Sequence, residues 1–339
     1  MARQDQDSQR GRVTLDNWLS IRPGRHQNGQ SSQANSRPSK SMNELIHRGR
    51  VMGPQKKRLM DVAVETRKAL PDILQHLPHL APTKSEAYYY DRLPPLRAAD
   101  CPKRTPSGKT TIRIVNEDTF NAAIELESTK GPGSGRVAVL NMASDIVAGG
   151  GWLKGAMAQE EALCYRSSLY LSLHRRYYPF RRSQAVYSPE VVIIRSDMSS
   201  GHDLLVPDVK PEDLPVVGVL SVAALRTPAT RTITTNTPDG EVVKQEVFAD
   251  PEARELTKGK MRLCLRMAAH NDHGLLVLGA LGCGAFRNPK EDVAACWLEV
   301  LREAEFQGGW WEEVWFAVYD RQNEGNFELF DEVLGGVEI

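Results

Sequence analysis

The sequence is poor in features that mark several large classes of protein. It has five cysteines in 339 residues, and none of them form the CxxC pairs typical of zinc sites or redox motifs. A disulfide framework is therefore not expected, and free thiols indicate a reducing compartment. The chain has no signal peptide and no apolar run long enough to span a bilayer. These absences predict a soluble, intracellular protein, nuclear or cytoplasmic, with no membrane partner.

The chain also lacks an excess of charge of either sign. Lysine and arginine together number 43, and so do aspartate and glutamate. A protein that binds nucleic acid mainly through electrostatics carries a basic excess, so no direct, sequence-specific nucleic-acid partner is expected. The balance does not exclude an anionic ligand that is held by local dipoles.

Residues 1–54 are rich in Gln, Ser, Arg, Asn and Gly and contain few large apolar side chains. Such a segment cannot offset the entropy of ordering, so it is predicted to be a disordered polar tail. Within it, Leu15, Trp18 and Leu19 give a degenerate likeness to a sliding-clamp-binding peptide, although Arg12 stands where that motif has Gln. An inert apolar island is the alternative interpretation.

Ordered structure is predicted to begin near Gln55. Apolar residues recur at helical spacing over 56–75, which predicts an amphipathic helix. The Pro-rich stretch 71–106 predicts irregular structure that wraps the core. We therefore interpret 55–110 as an N-terminal helical extension and wrapping segment, and 111–339 as the main domain.

Apolar strands alternate with helices through the main domain, which predicts an α/β fold with a mixed, mostly parallel, largely buried sheet. A strand over 136–141 leads into Gly149-Gly150-Gly151, and a strand over 275–280 ends in the second glycine loop, 282–286. Ligands bind at the carboxyl ends of strands in such sheets, so both glycine loops are expected at one edge. Between them, 226–245 is predicted to be a polar loop.

The triple glycine is the most informative feature of the chain. Glycines let the backbone adopt unusual dihedrals and approach a ligand closely. Eight residues later, Gln159-Glu160-Glu161 opens a helix predicted for 158–173. Two adjacent carboxylates here are candidates for acid–base cleavage of a bond in a polar, phosphate-bearing ligand. A general acid needs a raised pKa, which a nearby diphosphate would provide by like-charge repulsion. Solvated first-turn acids, favoured by the helix dipole, are the alternative.

The second glycine loop precedes a helix predicted to begin near Pro289. Backbone N–H groups in a glycine turn and at a helix N-terminus form an anion site. Neither loop continues into the GKS or GKT of a P-loop or completes a GxGxxG fingerprint, and an ordinary tight turn is the alternative. No carboxylate pattern accompanies His270 and His273, so no metal site is predicted.

Together these residues resemble the signature of microbial-type poly(ADP-ribose) glycohydrolases, which have a macrodomain fold. The likeness runs from about residue 56 to the end and is carried by segments 141–144, 149–151, 159–170 and 282–289. It implies a macrodomain-like, three-layer α/β/α catalytic domain with an N-terminal helical extension. The chain differs from the family in having Ala148 where Pro usually precedes the triple glycine.

The resemblance implies hydrolysis of the ribose–ribose O-glycosidic bond of poly(ADP-ribose), without metal or cofactor. Glu161 corresponds to the catalytic acid, which protonates the leaving 2′-hydroxyl and then activates water. Glu160 would hold the leaving ribose hydroxyl, and Gln159 would orient the pair. The implied substrate-binding residues are Asn141, Ser144, Gly149, Gly150, Gly151, Gln159, Gly282, Cys283, Gly284, Ala285 and Phe286.

Two alternatives to this activity remain at the level of sequence. One is a macrodomain reader that binds ADP-ribose without turnover, and the other is a hydrolase of mono-ADP-ribose. In each case the expected partners are poly(ADP-ribose) or ADP-ribosylated proteins.

Overall fold

A seven-stranded mixed sheet forms the centre of the computed structural model, which describes residues 53–130, 135–236 and 242–339. The polar tail and the clamp-binding prediction at Leu15, Trp18 and Leu19 lie outside these residues. The sheet strands are β1 Glu86–Tyr89, β2 Ile112–Val115, β3 Ala138–Met142, β4 Gln184–Val192, β5 Val216–Val222, β8 Leu275–Leu278 and β9 Glu313–Ala317, and β6 Thr230–Asn236 and β7 Val242–Phe248 form a separate hairpin. The helices are α1 Pro54–Leu74, α2 Thr119–Ser128, α3 Gln159–Arg166, α4 Pro251–His270, α5 Lys290–Leu301 and α6 Asn326–Leu334.

Five neighbouring strands of the sheet run parallel, in the order β5-β3-β8-β9-β2. β4 pairs antiparallel with β5, and β1 pairs antiparallel with β4 at the outer edge. The central parallel strands are almost continuously apolar because both of their faces are covered. The predicted mixed, mostly parallel sheet is therefore confirmed, and the carboxyl ends of its five parallel strands share one edge.

Helices cover both faces of this sheet. Leu140 and Phe316 belong to the core that α4, α5 and α6 cover, whereas Val139 and Val277 belong to the core that α1, α2 and α3 cover. Adjacent residues of one strand face opposite layers because side chains alternate along a strand. This confirms the predicted three-layer α/β/α arrangement.

Helix α1 confirms the helix predicted over 56–75. Pro54 occupies its first turn, where a missing N–H costs nothing. Its buried stripe packs against α3 and against the short 3-10 helix Trp152–Lys154, and Thr66 Oγ1 donates a 2.7 Å hydrogen bond to the Tyr165 carbonyl. The N-terminal extension thus braces the segment that follows the triple glycine.

Two strand regions differ from the sequence prediction. The stretch 71–106, predicted to be irregular, contains β1, which joins the main sheet beside β4. The polar loop predicted over 226–245 contains the β6–β7 hairpin, whose first strand is rich in β-branched threonine. The domain boundary at 110/111 stays a prediction.

Helix α3 is shorter than the predicted 158–173. It ends at Arg166 because Ser167 is extended and bridges to Ile193, and the Ser167 hydroxyl accepts a hydrogen bond from Leu169 N–H. Serine side chains compete with the helix in this way for backbone partners.

All five cysteines are free in the structure. Over the described ranges, no helix combines the length and the apolar character that crossing a membrane would require.

The docking of α1 can be tested with two truncations on the same helix. Leu59 is 2% exposed and Val64 is 66% exposed. We expect Leu59→Ala to lower the free energy of unfolding by about 2–5 kcal/mol because it leaves a cavity between α1 and the domain. Val64→Ala is the control and should change it by less than about 0.5 kcal/mol. Chemical denaturation measures both, and equal small effects would contradict the docking of α1.

Candidate active site

A cleft of about 1320 Å³ opens at the carboxyl edge of the five parallel strands. That volume exceeds the usual range for a single small-molecule pocket, about 300–1,000 Å³, and suits a dinucleotide-sized ligand. Segments that follow all five strands line it, as do both glycine loops, which therefore meet at one edge as the sequence predicts. All predicted site residues line the cleft except Asn141 and Gly149, which lie directly behind its wall.

Glu160 is a buried carboxyl that is held from two sides. Its Oε2 accepts a 2.8 Å hydrogen bond from the Ser144 N–H, and its Oε1 accepts one of 3.4 Å from the Asn141 side-chain amide. Burial raises the pKa of Glu160 to about 8, in spite of these hydrogen bonds, which lower it. Burial by the protein therefore keeps the Glu160 carboxyl protonated near neutral pH without a ligand.

Glu161 is held differently from its neighbour. Its Oε1 accepts a 2.8 Å hydrogen bond from the Gly151 N–H. Its Oε2 is buried and has no hydrogen-bond partner among the described residues. One oxygen is therefore held by the glycine loop, whereas the other has no hydrogen bond within the described protein, at a residue that lines the cleft.

Gln159 fixes the start of α3 to strand β3. Its Nε2 donates to the Leu140 carbonyl at 2.8 Å and to the Thr119 hydroxyl at 3.1 Å, and its Oε1 accepts from the Met142 N–H at 2.9 Å. The amide is thereby bonded at both ends. These bonds support the orienting role implied for Gln159 more than direct contact with substrate.

The triple glycine wraps closely around the two carboxylates. Gly149 and Gly150 have φ values of +70° and +59°, a region that favours glycine. A Cβ at Gly150 would lie 2.4 Å from Glu161 Oε1 and 3.1 Å from Glu160 Oε2. The loop therefore needs glycine because its backbone lies against the carboxylates. This requirement adds to the close approach of a ligand that the sequence predicts.

The turn before the triple glycine contains Ala148, at the position where the sequence resemblance leads us to expect proline. The Gly150 N–H donates to the Val147 carbonyl at 2.9 Å, and the Ser144 hydroxyl accepts from the N–H groups of Ile146 and Val147. Ala148 itself packs against the core on the α1–α3 side. Hydrogen bonds therefore set the loop geometry that proline would otherwise restrict.

The second glycine loop is supported from beneath by Asn288. The Asn288 side-chain amide donates to the carbonyls of Leu225, Gly282 and Phe286. Gly282 has a φ of +79°, and a Cβ there would lie 2.5 Å from that of Ala224. No atom lies within 4 Å of the Cβ position at Gly284, so this glycine faces open space.

Sequence reasoning missed Arg226, which connects the two loops. Its guanidinium lies 4.3 Å from the centre of the Phe286 ring and forms a 2.7 Å ion pair with Asp145. A cation at this position suits a ligand phosphate. A lone arginine after a strand gave no spacing signal that would have identified it.

A buried polar cluster in the lining of the cleft was also missed. Asp118 caps α2 and pairs with the fully buried Arg166, which also donates to Asn121 at 2.8 Å. Burial raises the pKa of Asp197, but hydrogen bonds from Asn121 and Ser199 and the Arg166 charge bring it well below its usual range. These residues come from separate elements, so only the fold brings them together.

His202 lies beside this cluster and lines the cleft. Burial, together with the positive charges of Arg166 and Arg195, lowers the pKa of His202 to about 4. Within residues 53–130, 135–236 and 242–339, no group of three or more His, Cys, Asp or Glu side chains is arranged to hold a metal ion.

The fold and the site define a class: a macrodomain-like α/β/α protein with paired acidic groups under a glycine loop, equipped for acid–base hydrolysis. The sequence profile described as the catalytic domain of microbial-type poly(ADP-ribose) glycohydrolase (PARG) matches residues 70–196. The structure is similar to that of poly(ADP-ribose) glycohydrolase from Thermomonospora curvata, with a TM-score of 0.62 and 25% identity over 81% of this chain and 99% of the other. It is also similar to the Deinococcus radiodurans enzyme in complex with ADP-ribose, with a TM-score of 0.56 and 31% identity over 74% of this chain and 94% of the other.

A third similar structure is that of the Thermomonospora curvata enzyme bound to the inhibitor ADP-HPD, with a TM-score of 0.60 and 25% identity over 81% of this chain and 99% of the other. A comparison with curated protein sequences finds no match. The chain belongs to the microbial-type poly(ADP-ribose) glycohydrolase family.

The glycine requirement of the loop can be tested by Gly150→Ala. The new methyl group would overlap Glu161 Oε1, and the left-handed backbone itself costs about 1–2 kcal/mol for a non-glycine residue. We expect at least a hundredfold loss of kcat/KM, or about 2.7 kcal/mol, because the carboxylates must move. Gly336→Ala is the matched control, because Gly336 also has a left-handed backbone (φ +74°) but no atom within 4 Å of its Cβ position and no place in the cleft lining, so it should keep wild-type turnover. Steady-state hydrolysis measures both, and an active Gly150→Ala variant would contradict this geometry.

The buried Glu160 also predicts a pH dependence of stability. Its folded-state pKa of about 8 lies above the ordinary value of 4.5, so the unfolded chain releases this proton first as the pH rises. The Glu160 contribution to stability is therefore lost between about pH 4.5 and pH 8, by up to about 1.4 kcal/mol per pH unit. Denaturation of the wild type and of Glu160→Gln across this range should show the wild type losing stability relative to the variant. Parallel curves would contradict the raised pKa.

Proposed function

We infer that this protein is a poly(ADP-ribose) glycohydrolase that cleaves the ribose–ribose O-glycosidic bond and releases ADP-ribose. The observation that carries this conclusion is the position of Glu161, a residue of the cleft lining with one oxygen held by the Gly151 N–H and the other buried and without a hydrogen-bond partner among the described residues. Family membership and the ADP-ribose and ADP-HPD complexes of similar structures support the same substrate.

We propose that the diphosphate of the terminal unit lies between the two glycine loops. The open space at Gly284 permits close backbone approach, and the N-terminus of α5 follows the loop. Arg226 adds a positive charge at the junction of the loops. With the diphosphate there, the distal ribose points toward the carboxylates.

Cleavage then needs one acid that becomes a base. The Glu161 carboxyl donates its proton to the 2′-oxygen of the leaving unit as the bond from that oxygen to C1″ breaks. The ribose passes through an oxocarbenium-like state. The Glu161 carboxylate next removes a proton from water, whose oxygen bonds to C1″ and completes ADP-ribose. The shortened polymer leaves with its 2′-hydroxyl restored.

Glu160 has a separate role in this proposal. With a pKa of about 8, its carboxyl holds a proton at neutral pH. A neutral Glu160 can donate a hydrogen bond to a ribose hydroxyl, and it adds no second negative charge beside the Glu161 carboxylate that forms once the Glu161 proton has been donated. This agrees with the implied role of holding the leaving ribose.

The rim of the cleft favours polymer over mono-ADP-ribose as substrate. Ile146, Val147, Leu153 and Met157 are all large, apolar and 48–57% exposed, and all line the cleft. In the polymer, an adenine is attached to the same ribose that carries the leaving oxygen. An apolar rim beside the carboxylates suits that base, whereas a modified protein side chain offers no such group.

The central prediction concerns Glu161→Gln. This variant keeps the shape of the side chain but cannot supply or take up the proton, so release of ADP-ribose from polymer should fall by at least about a thousandfold. Binding of free ADP-ribose should persist within a few-fold, as calorimetry can measure. Glu324→Gln, which changes an exposed carboxylate of the same cleft, is the control.

Equal turnover by wild type and Glu161→Gln would refute this role. Binding without turnover by the wild type would support the reader alternative. Preference for singly modified proteins over polymer would support the mono-ADP-ribosyl hydrolase.

Two further points are proposals that rest on sequence. The free cysteines support an intracellular location, nuclear or cytoplasmic. The spacing of Leu15, Trp18 and Leu19 is the support for a sliding-clamp-binding peptide.

A further inference from the structure

A cationic segment stands out in a chain whose total charge is balanced. Residues 174–182 read HRRYYPFRR, with four arginines, three aromatic residues and no acid. Arg175, Arg176, Arg181 and Arg182 are all exposed. None of them forms an ion pair with another described residue. The fold thus presents four uncompensated positive charges in one short segment.

Tyrosine rings lie among these arginines. Arg92 and Arg181 both lie over the ring of Tyr89, 4.9 and 5.8 Å from its centre. Arg176 lies 4.9 Å from the centre of the Tyr177 ring. Arg92 and the four arginines of segment 174–182, together with Tyr89 and Tyr177, are called the arginine–tyrosine surface below. Two exposed acids, Glu86 and Asp91, lie beside it. Because they balance only two of the five arginine charges, the net charge of the surface remains positive.

The surface begins at the wall of the catalytic cleft. The Phe180 N–H donates a 2.7 Å hydrogen bond to the Asp145 carbonyl. Ser144 and Ile146, on either side of Asp145, line the cleft, and the Ser144 N–H holds Glu160. A ligand that extends out of the cleft past this loop therefore runs toward the segment that carries Arg181 and Arg182.

We propose that the arginine–tyrosine surface binds the part of the poly(ADP-ribose) chain that lies outside the cleft. The proposal rests on the glycohydrolase function inferred above. Each unit of that chain carries a diphosphate and an adenine. Arginine recognises phosphate through paired N–H groups, and tyrosine and arginine planes stack on bases. The surface thus tethers long polymer while its terminal unit is cleaved.

The test compares two triple variants that remove the same charge. The first is Arg175→Gln, Arg181→Gln and Arg182→Gln. The control is Lys68→Gln, Lys210→Gln and Arg302→Gln, which are exposed residues outside the cleft. At low salt, kcat/KM for long polymer should fall about tenfold in the first variant, as three exposed ion contacts of ordinary strength would supply. The kcat/KM for long polymer should be unchanged in the control variant. Both variants should bind free ADP-ribose with wild-type affinity, because free ADP-ribose occupies only the cleft.

Salt dependence provides a second readout. Each phosphate contact with a single strand contributes roughly 0.7 to the slope of log affinity against log salt, so the first variant should lose about 2 from that slope. If the first variant keeps the wild-type kcat/KM for long polymer and the wild-type salt slope, this inference is overturned and the proposed function is left intact. A wild type that releases no ADP-ribose would instead contradict the proposed function.

Single-stranded DNA distinguishes the two polyanions that such a surface can accept. We expect it to bind the wild type much more weakly than poly(ADP-ribose) binds Glu161→Gln, because DNA has no terminal unit for the cleft. Equal affinities, with DNA binding lost in the first variant, would assign the surface to nucleic acid and overturn the proposal.

Discussion

The hydrogen bond from the Gly151 N–H to Glu161 Oε1 is the interaction on which the site depends. It joins the loop after β3 to the first turn of α3, and it decides which oxygen of the carboxyl remains for a substrate. Gly150 permits it, because the Cβ of any other residue there would lie only 2.4 Å from that same oxygen. A single backbone contact thus sets both the shape of the cleft wall and the direction of the reactive group.

Burying two adjacent carboxyl groups is costly unless they are hydrogen-bonded or neutral. The fold meets this cost in two ways. Backbone N–H groups of Ser144 and Gly151 each bind one carboxyl, and the raised pKa of Glu160 keeps that carboxyl uncharged at neutral pH. Around them, Gln159 ties α3 to β3, and α1 braces the following turn. Tyr165 is part of this frame, since its hydroxyl donates to the carbonyls of Trp152 and Ala156. The layers of the domain therefore contribute to the chemistry by holding the Glu160 and Glu161 carboxyl groups in buried positions.

Much of this arrangement could be predicted from the sequence, because local signals were strong where the backbone is unusual. Apolar runs ending in glycine loops located the cleft edge, and the spacing of Gly149–Gly151 to Glu161 identified the acidic pair. What could not be predicted depends on long-range contacts. The strand β1 lies in a Pro- and Tyr-rich stretch without clear alternation, and Arg226 and Arg166 acquire their partners only in three dimensions. The sequence also suggested a ligand charge as the source of a raised pKa, whereas burial by the protein produces it at Glu160.

The most direct test of the central claim is a crystal structure of the Glu161→Gln protein with a poly(ADP-ribose) fragment spanning the cleft. The measurement is the distance from the side chain at 161 to the scissile oxygen and to C1″. The account predicts the oxygen of the glycosidic bond within hydrogen-bond reach of that side chain, about 2.6–3.2 Å, on the side away from Gly151. A fragment whose anomeric carbon lies against another wall of the cleft, with the side chain at 161 facing only protein, would contradict it.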